Sequence, residues 1–290
     1  MRCIVLCIVV LFSSFAWAQP NEAFGIWKTR HIEVRYKQGQ TSRKEARIVA
    51  KKAEAFFRRL ALYLRHKPMN KIVISLEGNR GDDPKHRWAY VDETAGWMHL
   101  FRFPEDSFPY QTGLSHELVH AYRFKHLSEI EMPPAPAFIF LEEGIAEYLS
   151  NLIEPKKATF VNFGHSLEVA AGQWFESGED IPLETLLIEQ YRLRPKCIPQ
   201  AYTLQASFIQ FLELEFGRAT VRRLAFAKDI RDEESLQSYI DEPFSVLVSK
   251  WKSSLLRRYQ AIPNHTELGH AWRNQTPASD MYVCKTGVDF

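Results

Sequence analysis

The chain has 290 residues, of which 46% are hydrophobic and 13% aromatic. This is enough apolar material to bury a full core for two closely joined lobes. The formal net charge of +2 is too small and too scattered to predict a nucleic-acid-binding protein. The Lys and Arg residues over 43–65 lie on a predicted amphipathic helix, where we expect them to form its solvated face.

The first residues predict a signal peptide. Residues 1–18 contain a single Arg2, an apolar run over 4–12 and the pattern Ala16-Trp17-Ala18, which are the parts of a cleavable export signal. We expect cleavage near Ala18 and a mature chain that is periplasmic or secreted. The apolar run is too short for a stable transmembrane helix, and no other stretch is both long and uncharged. No integral membrane segment is therefore expected in the mature chain.

The pattern along the chain predicts an α/β half followed by a mainly helical half. Residues 31–36 alternate as a strand, 42–65 have helical periodicity, and 71–76 and 96–103 are β-rich. A helix is predicted around residues 116–120, after these strands. The proline-rich loop at 133–136 that follows it separates the two halves. The helices predicted for the second half are 138–152, 165–176, 182–190, 202–216, 218–227, 236–239 and 244–259, with Gly217 placed to end the fourth.

The domain prediction follows from these patterns. It comprises the signal peptide at 1–18, an α/β lobe at 19–132, a helical lobe at 133–262 and a C-terminal tail at 263–290. Cys197 and Cys284 remain once the signal peptide is removed. Two cysteines in an oxidising compartment often pair, and a disulfide between them would tie the tail to the helical lobe. Two unpaired thiols are the alternative.

The segment His-Glu-Leu-Val-His at 116–120 supplies the first half of a metal site. On a helix, His116 and His120 lie one turn apart on the same face, with Glu117 beside them. Two imidazoles next to a carboxylate are typical of metal-dependent hydrolysis, in which the carboxylate is the general base. A chance occurrence of these three residues on a surface helix is the alternative.

The segment Leu-Glu-Glu-Gly-Ile-Ala-Glu-Tyr at 141–148 supplies the second half. Catalytic zinc takes three protein ligands and keeps a fourth position for water, so we assign Glu143 as the third ligand of one zinc ion. Glu147, one turn later on the same face, is placed to accept a hydrogen bond from the remote ring nitrogen of a liganding histidine. Acidic residues on the solvent face of an ordinary helix are the alternative.

The two segments together resemble the gluzincins, the thermolysin and aminopeptidase N clan, and more narrowly the bacterial peptidase MA-like families. In that clan, HExxH is followed by a helix with a glutamate ligand in a sequence like W-L-N-E-G-F-A-E-Y. The resemblance matches His116, His120 and Glu143 to the metal ligands and Glu117 to the general base. It implies an α+β, zincin-like (thermolysin-type) fold, with an N-terminal α/β lobe and a mainly helical C-terminal lobe.

The chain departs from the clan pattern at two positions. Phe140 and Glu142 stand where a Trp and an Asn are common. The metal ligands are unaffected by these differences, but the substrate side of the helix is altered.

The resemblance also implies residues that handle the substrate. In the clan, the strand before the metal helix forms the sheet edge along which an extended peptide pairs, so Gly96, Trp97 and Met98 are substrate-binding candidates, with core packing of the last two as the alternative. Tyr202 is the candidate for a hydroxyl that stabilises the oxyanion, unless it only anchors a helix start. His165 is a second candidate for that donor.

A different third ligand is suggested by His126, which follows His116 at the spacing of the third histidine in metzincins. Those enzymes need a glycine at the eighth position of the motif, where the helix turns sharply, and this chain has Arg123 there. We therefore expect His126 to lie on the surface at the helix end, where its charge suits the helix dipole.

These observations predict an exported zinc-dependent peptidase that acts on a peptide or protein substrate. An exported peptide-binding or scaffold protein with an inactive site of the same fold is the alternative. The presence of Glu117 favours the enzyme, since loss of that base is the simplest route to inactivity.

Overall fold

The computed structural model describes residues 24–79, 89–92, 96–102, 110, 113–129, 139–154, 165–178, 198–227, 229–230 and 232–275. The predicted signal peptide, both mature cysteines, the predicted helix at 182–190 and the proposed lobe boundary at 132/133 lie outside these residues. Within them the fold combines one five-stranded sheet with helices, which agrees with the predicted α+β class.

The sheet has the strand order β1-β2-β3-β5-β4. Its strands are β1 Phe24–Lys28, β2 Ile32–Lys37, β3 Ile72–Asn79, β4 Ala89–Asp92 and β5 Trp97–Arg102. Strands β2, β3 and β5 run parallel, whereas β1 and β4 are antiparallel to their neighbours. The sequence patterns predicted the three parallel strands but missed β1 and β4.

The strand expected to be the sheet edge is internal. β5 pairs with β3 on one side and with β4 on the other, so β4 is the edge strand on this side of the sheet among the described residues. Met98 is fully buried, and the Arg35 guanidinium lies 4.1 Å from the centre of the Trp97 ring. Gly96, at φ +62°, has the Phe124 side chain where a Cβ would lie. The expected edge position of this strand is therefore wrong, and the short β4 takes it, whereas the role of Gly96, Trp97 and Met98 in substrate binding stays a prediction.

Helix α1, Arg43–Leu64, packs against β1 and β2. It begins with a capping box, in which Ser42 accepts a hydrogen bond from the Glu45 backbone and the Glu45 carboxylate accepts one from the Ser42 backbone. Its apolar residues recur with helical period and are buried on one side, which is the pattern of an amphipathic helix covering a sheet. The second helix, α2 Leu114–Glu129, carries His-Glu-Leu-Val-His.

The next helix carries the second metal motif, and six further helices follow it among the described residues. They are α3 Ile139–Ile153, α4 Leu167–Glu176, α5 Ile198–Phe216, α6 Arg218–Ala225, α7 Glu233–Ile240, α8 Phe244–Gln260 and α9 His265–Gln275. Six of the predicted helices are confirmed with small shifts in their ends. Gly217, at φ +81°, separates α5 from α6, a conformation that favours glycine.

Two features of the helices differ from the prediction, the start of α5 and the presence of α9. Helix α5 begins at Ile198, four residues before the predicted start, so Tyr202 lies in its second turn and not at its first residue. Helix α9 occupies part of the predicted tail. It packs against α4, and the Tyr259 hydroxyl donates to the His265 backbone oxygen at 3.1 Å. These contacts are tertiary, which is why a weak local pattern did not predict the helix.

Helices α3 and α5 approach each other closely at Gly144. A Cβ on this glycine would lie 3.1 Å from the Gln205 backbone oxygen, tighter than ordinary van der Waals contact. The absence of a side chain therefore lets α5 lie directly on α3. Because Tyr202 is about one turn from Gln205 and Glu143 adjoins Gly144, the same approach brings Tyr202 beside the metal motif.

Buried hydrophobic residues from the sheet and from both halves of the chain form one connected core. This core includes Val34, Ile74 and Leu118 from the first half, with Ile145 and Phe208 from the second. In the part of the chain that the structure describes, no helix is long and apolar enough to cross a membrane.

Candidate metal centre

Three side chains from α2 and α3 converge on one point. The His116 Nε2 and Glu143 Oε2 atoms are 2.9 Å apart, His120 Nε2 and Glu143 Oε2 are 3.3 Å apart, and the two histidine Nε2 atoms are 3.1 Å apart. His116, His120 and Glu143 could therefore hold a metal ion, each through one ligand atom. The sequence predicted these three residues from two separate motifs.

The spacing of these atoms suits a small divalent cation. Nitrogen and oxygen ligands lie about 2.0–2.2 Å from zinc, so tetrahedral ligands are about 3.3–3.5 Å from one another. The three observed separations of 2.9, 3.1 and 3.3 Å need to widen by only a few tenths of an ångström on average to reach that geometry.

The ring of His116 is oriented by a buried carboxylate. His116 Nδ1 lies 3.1 Å from Glu147 Oε2, and the Glu147 side chain is fully buried. Asn151, one turn further along α3, donates its side-chain N–H to Glu147 Oε1 at 2.7 Å. With Glu147 accepting at Nδ1, the lone pair of a neutral His116 lies on Nε2, facing the metal position. The prediction placed Glu147 here, but Asn151 was missed, although its spacing of four residues from Glu147 was a signal.

The ring of His120 has a different acidic neighbour. His120 Nδ1 lies 3.6 Å from Glu142 Oε1, and that carboxylate forms an ion pair with Arg123 Nη1 at 3.0 Å. Arg123 is buried and donates from Nε to the Ala225 backbone oxygen at 2.6 Å. Sequence reasoning noted Glu142 and Arg123 only as departures from known patterns, whereas the structure brings them together beside His120.

Tyr202 lies against the metal group. Its ring stacks on that of His116, with centroids 5.4 Å apart and planes 6° from parallel. Burial raises the pKa of Tyr202 well above its usual range, and the Glu143 and Glu117 charges and a hydrogen bond with Glu143 raise it further. The tyrosine is therefore a neutral hydrogen-bond donor at the site.

The buried charges of the site perturb one another strongly. Burial alone would lower the pKa of His120, but the charge of Glu143 and hydrogen bonds with Glu142 and Glu143 outweigh it and raise the pKa to about 9. Burial would likewise raise the pKa of Glu143, yet the two histidines hold it well below its usual range. A carboxylate that stays ionised beside two imidazoles is suited to a cation.

Glu117 differs from Glu143 in its ionisation. Burial raises the pKa of Glu117 above its ordinary value, against the opposing charges of His120 and His116. Glu143 and Glu142 add to the increase. A carboxylate with a raised pKa is a stronger base, which is the property needed for proton transfer near neutral pH.

The other two histidine candidates are not among the three candidate metal-ligating residues. His126 Nδ1 is 2.7 Å from His66 Nε2, and its ring packs 4.2 Å from that of Phe226, centroid to centroid. It is therefore half-buried in a contact of its own, which corrects the expected surface position and leaves the metzincin arrangement unsupported. His165 comes immediately before Ser166, the N-cap of α4, and is not a member of the metal group.

Comparisons of the chain with protein-family models, with curated proteins and with solved structures find no match.

We predict that the purified chain binds one metal ion and that His116→Ala, His120→Ala or Glu143→Ala severely weakens binding, because each removes one of three ligands. Glu147→Ala should cost roughly 10 to 100-fold in affinity, as expected for a residue that orients a ligand. His126→Ala is the matched control. Metal content by mass spectrometry and affinity by calorimetry test this order, and loss of the metal in His126→Ala would contradict it.

We also predict that metal affinity rises with pH. A liganding imidazole must be neutral, but in the metal-free chain the pKa of His120 is about 9, above the ordinary value near 6.5. Burial would lower the pKa of His116, but hydrogen bonds with Glu143 and Glu147 raise it well above its ordinary value as well. Binding must therefore displace protons from the ligands, and affinity should increase from pH 6.5 to 9. Calorimetry in two buffers of different ionisation enthalpy measures the protons released. An affinity that is constant over this range would show that the histidines are already neutral.

Proposed function

We propose that this protein is an exported zinc-dependent peptidase of the gluzincin type. The observation that carries the proposal is the convergence of two histidine nitrogens and one glutamate oxygen within 3.3 Å of one another, with Glu117 on the same helix. Two imidazoles and one carboxylate are the ligand set of a catalytic zinc with an open position.

The neighbours of the ligands support a catalytic role over a purely structural one. Structural zinc sites are usually closed by four protein ligands, whereas this group offers three among the described residues. The orienting carboxylate Glu147 fixes one imidazole, and Glu142 lies beside the other. This organisation agrees with a site that must hold its ligands rigidly while one position remains available for water.

Zinc in such a site lowers the pKa of a bound water and polarises the scissile carbonyl. Glu117 is the residue that accepts the proton of the attacking water and passes it to the departing amine nitrogen. Burial raises the pKa of this carboxylate above its ordinary value in the metal-free chain, which favours uptake of the proton.

Tyr202 is placed to stabilise the charge that develops on the carbonyl oxygen. Its ring is held against His116, so its hydroxyl is close to the metal group without being one of the three ligands. The hydroxyl stays protonated because burial and nearby carboxylates raise its pKa. A preorganised neutral donor costs no reorganisation when the oxyanion forms.

The edge strand β4 is the candidate surface for an extended peptide. A Cβ on Gly113, which precedes α2, would lie 2.8 Å from the Ala89 Cβ of β4 and 3.9 Å from the Glu117 Cγ. The edge strand therefore passes beside the first turn of the metal helix. A peptide that adds to a free edge is bound by backbone hydrogen bonds and needs little side-chain specificity.

We predict that Glu117→Gln retains the metal but loses hydrolysis of a peptide library by at least about 100-fold, since general-base catalysis contributes that much or more. Glu215→Gln, which makes the same change at an exposed position of α5, is the control and should keep full activity. Wild-type cleavage should stop when a chelator is added.

Two outcomes would contradict the proposal. Cleavage by metal-loaded Glu117→Gln at the wild-type rate would remove Glu117 from the reaction. A metal-loaded wild type that binds peptides but cleaves none of them would favour the alternative of an inactive peptide-binding protein.

We predict that Tyr202→Phe lowers turnover by roughly 100 to 1000-fold with a nearly constant KM, as expected for loss of one oxyanion donor. The ring that stacks on His116 is kept, so metal content and melting temperature should be unchanged. Steady-state kinetics with metal-loaded enzyme test this, and a KM effect alone would mean that Tyr202 only binds substrate.

A further inference from the structure

A line of positive charge runs along the solvent side of α1. Lys44, Arg47, Lys51, Arg58 and Arg65 follow one another at spacings of three, four, seven and seven residues, which places them on one side of a helix. All five are exposed. At about 1.5 Å per residue, the line is roughly 30 Å long.

This segment has a much larger positive charge than the net charge of the whole chain indicates. Residues 43–65 contain eight Lys or Arg and two Glu, a net charge of +6, whereas the whole chain carries +2. The two carboxylates do little to neutralise the line. Glu45 caps Ser42 and pairs with Arg102, and Glu54 is buried against His31, with Arg58 as its only partner in the line.

The line ends in a basic groove of about 600 Å³ at the C-terminal end of α1. Arg30, Arg58, Arg65 and Lys67 line it, with apolar surface from Phe57, Ala61 and Leu62, and no carboxylate is among its lining residues. The groove thus offers several donors for an anion.

Two large exposed apolar side chains point to the kind of partner, and one of them, Leu62, lines the groove. Leu62 is 78% exposed and Met69, two residues beyond Lys67, is 86% exposed, the two highest values among the large hydrophobic residues described. Exposed apolar side chains beside a basic line are typical of surfaces that bind a membrane interface. A phosphate backbone in water would leave both side chains exposed.

We propose that this face of α1, with its terminal groove, docks onto an anionic phospholipid membrane. The line of Lys and Arg is attracted to the negative surface, Leu62 and Met69 enter the interface, and the groove receives a phosphate headgroup. The peptidase proposal is independent of this surface, because none of these residues belongs to the metal centre.

The test measures partition of the full chain onto vesicles by sedimentation. Phosphatidylcholine vesicles are compared with vesicles containing 30% phosphatidylglycerol at low and at physiological salt. The apolar run at residues 4–12 is present in every variant, so any binding that it contributes is the same throughout and the gain on adding phosphatidylglycerol reports the basic face. We expect a clear gain that falls as salt is added.

Two variants with equal loss of charge locate the surface. Arg47→Gln with Lys51→Gln should reduce binding to anionic vesicles by about 30-fold, since each basic residue near an anionic membrane contributes about fivefold. Lys252→Gln with Arg257→Gln is the control, on α8, which packs against α4, α5 and α7, and should leave binding within about twofold. Leu62→Gln should weaken anionic binding several-fold without changing the net charge.

Three results would overturn the proposal. The first is no preference for anionic over neutral vesicles. The second is an equal loss in the α1 and α8 variants, which would mean that only net charge matters. The third is binding of inorganic phosphate or of a DNA duplex that depends on Arg47 and Lys51 while vesicles are ignored, which would assign the surface to a soluble anion or to nucleic acid.

Discussion

The close approach of α2 and α3 is the constraint on which the rest of the site depends. It brings the Nε2 atoms of His116 and His120 to the Oε2 atom of Glu143. These side chains are largely buried, so each ionised group needs an oppositely charged partner. An isolated buried carboxylate or imidazolium costs several kcal/mol. The mutual pairing of these groups offsets that cost in the metal-free chain, and a cation that replaces their protons would provide the same compensation.

The two histidines are supported in unequal ways. Glu147 and Asn151 hold His116 from within the buried face of α3, so the orientation of that ring is fixed by packing. Glu142 beside His120 is partly exposed and is paired with Arg123, which in turn is anchored to the backbone at Ala225 of α6. The position of His120 is therefore tied to the helices that follow the metal motifs. A displacement of α6 would therefore shift the ring of His120 more than the ring of His116.

Helix α1 has two sides of different character. Its apolar side includes Ala53, Phe56 and Leu60, all buried in the core against the sheet. Its solvent side is not a mixture of charges, as on an ordinary surface helix, but a line of one sign that ends beside exposed Leu62. Since like charges along one helix repel one another, this arrangement lowers the stability of the helix and suggests a use outside the fold.

The sequence alone determined the parts whose signal is local. The spacing of four residues placed His116 and His120 on one face, and the i, i+4 relation did the same for Glu143 and Glu147, because helical geometry fixes both. Only the tertiary structure decided which residues contact these helical faces. It places Gly144 against Gln205, Tyr202 on His116 and Arg123 beside Glu142. It also places β4 outside β5 in the sheet. These contacts join residues far apart in the chain, and a four-residue edge strand or a stacked ring leaves no periodic pattern from which its partner could be predicted.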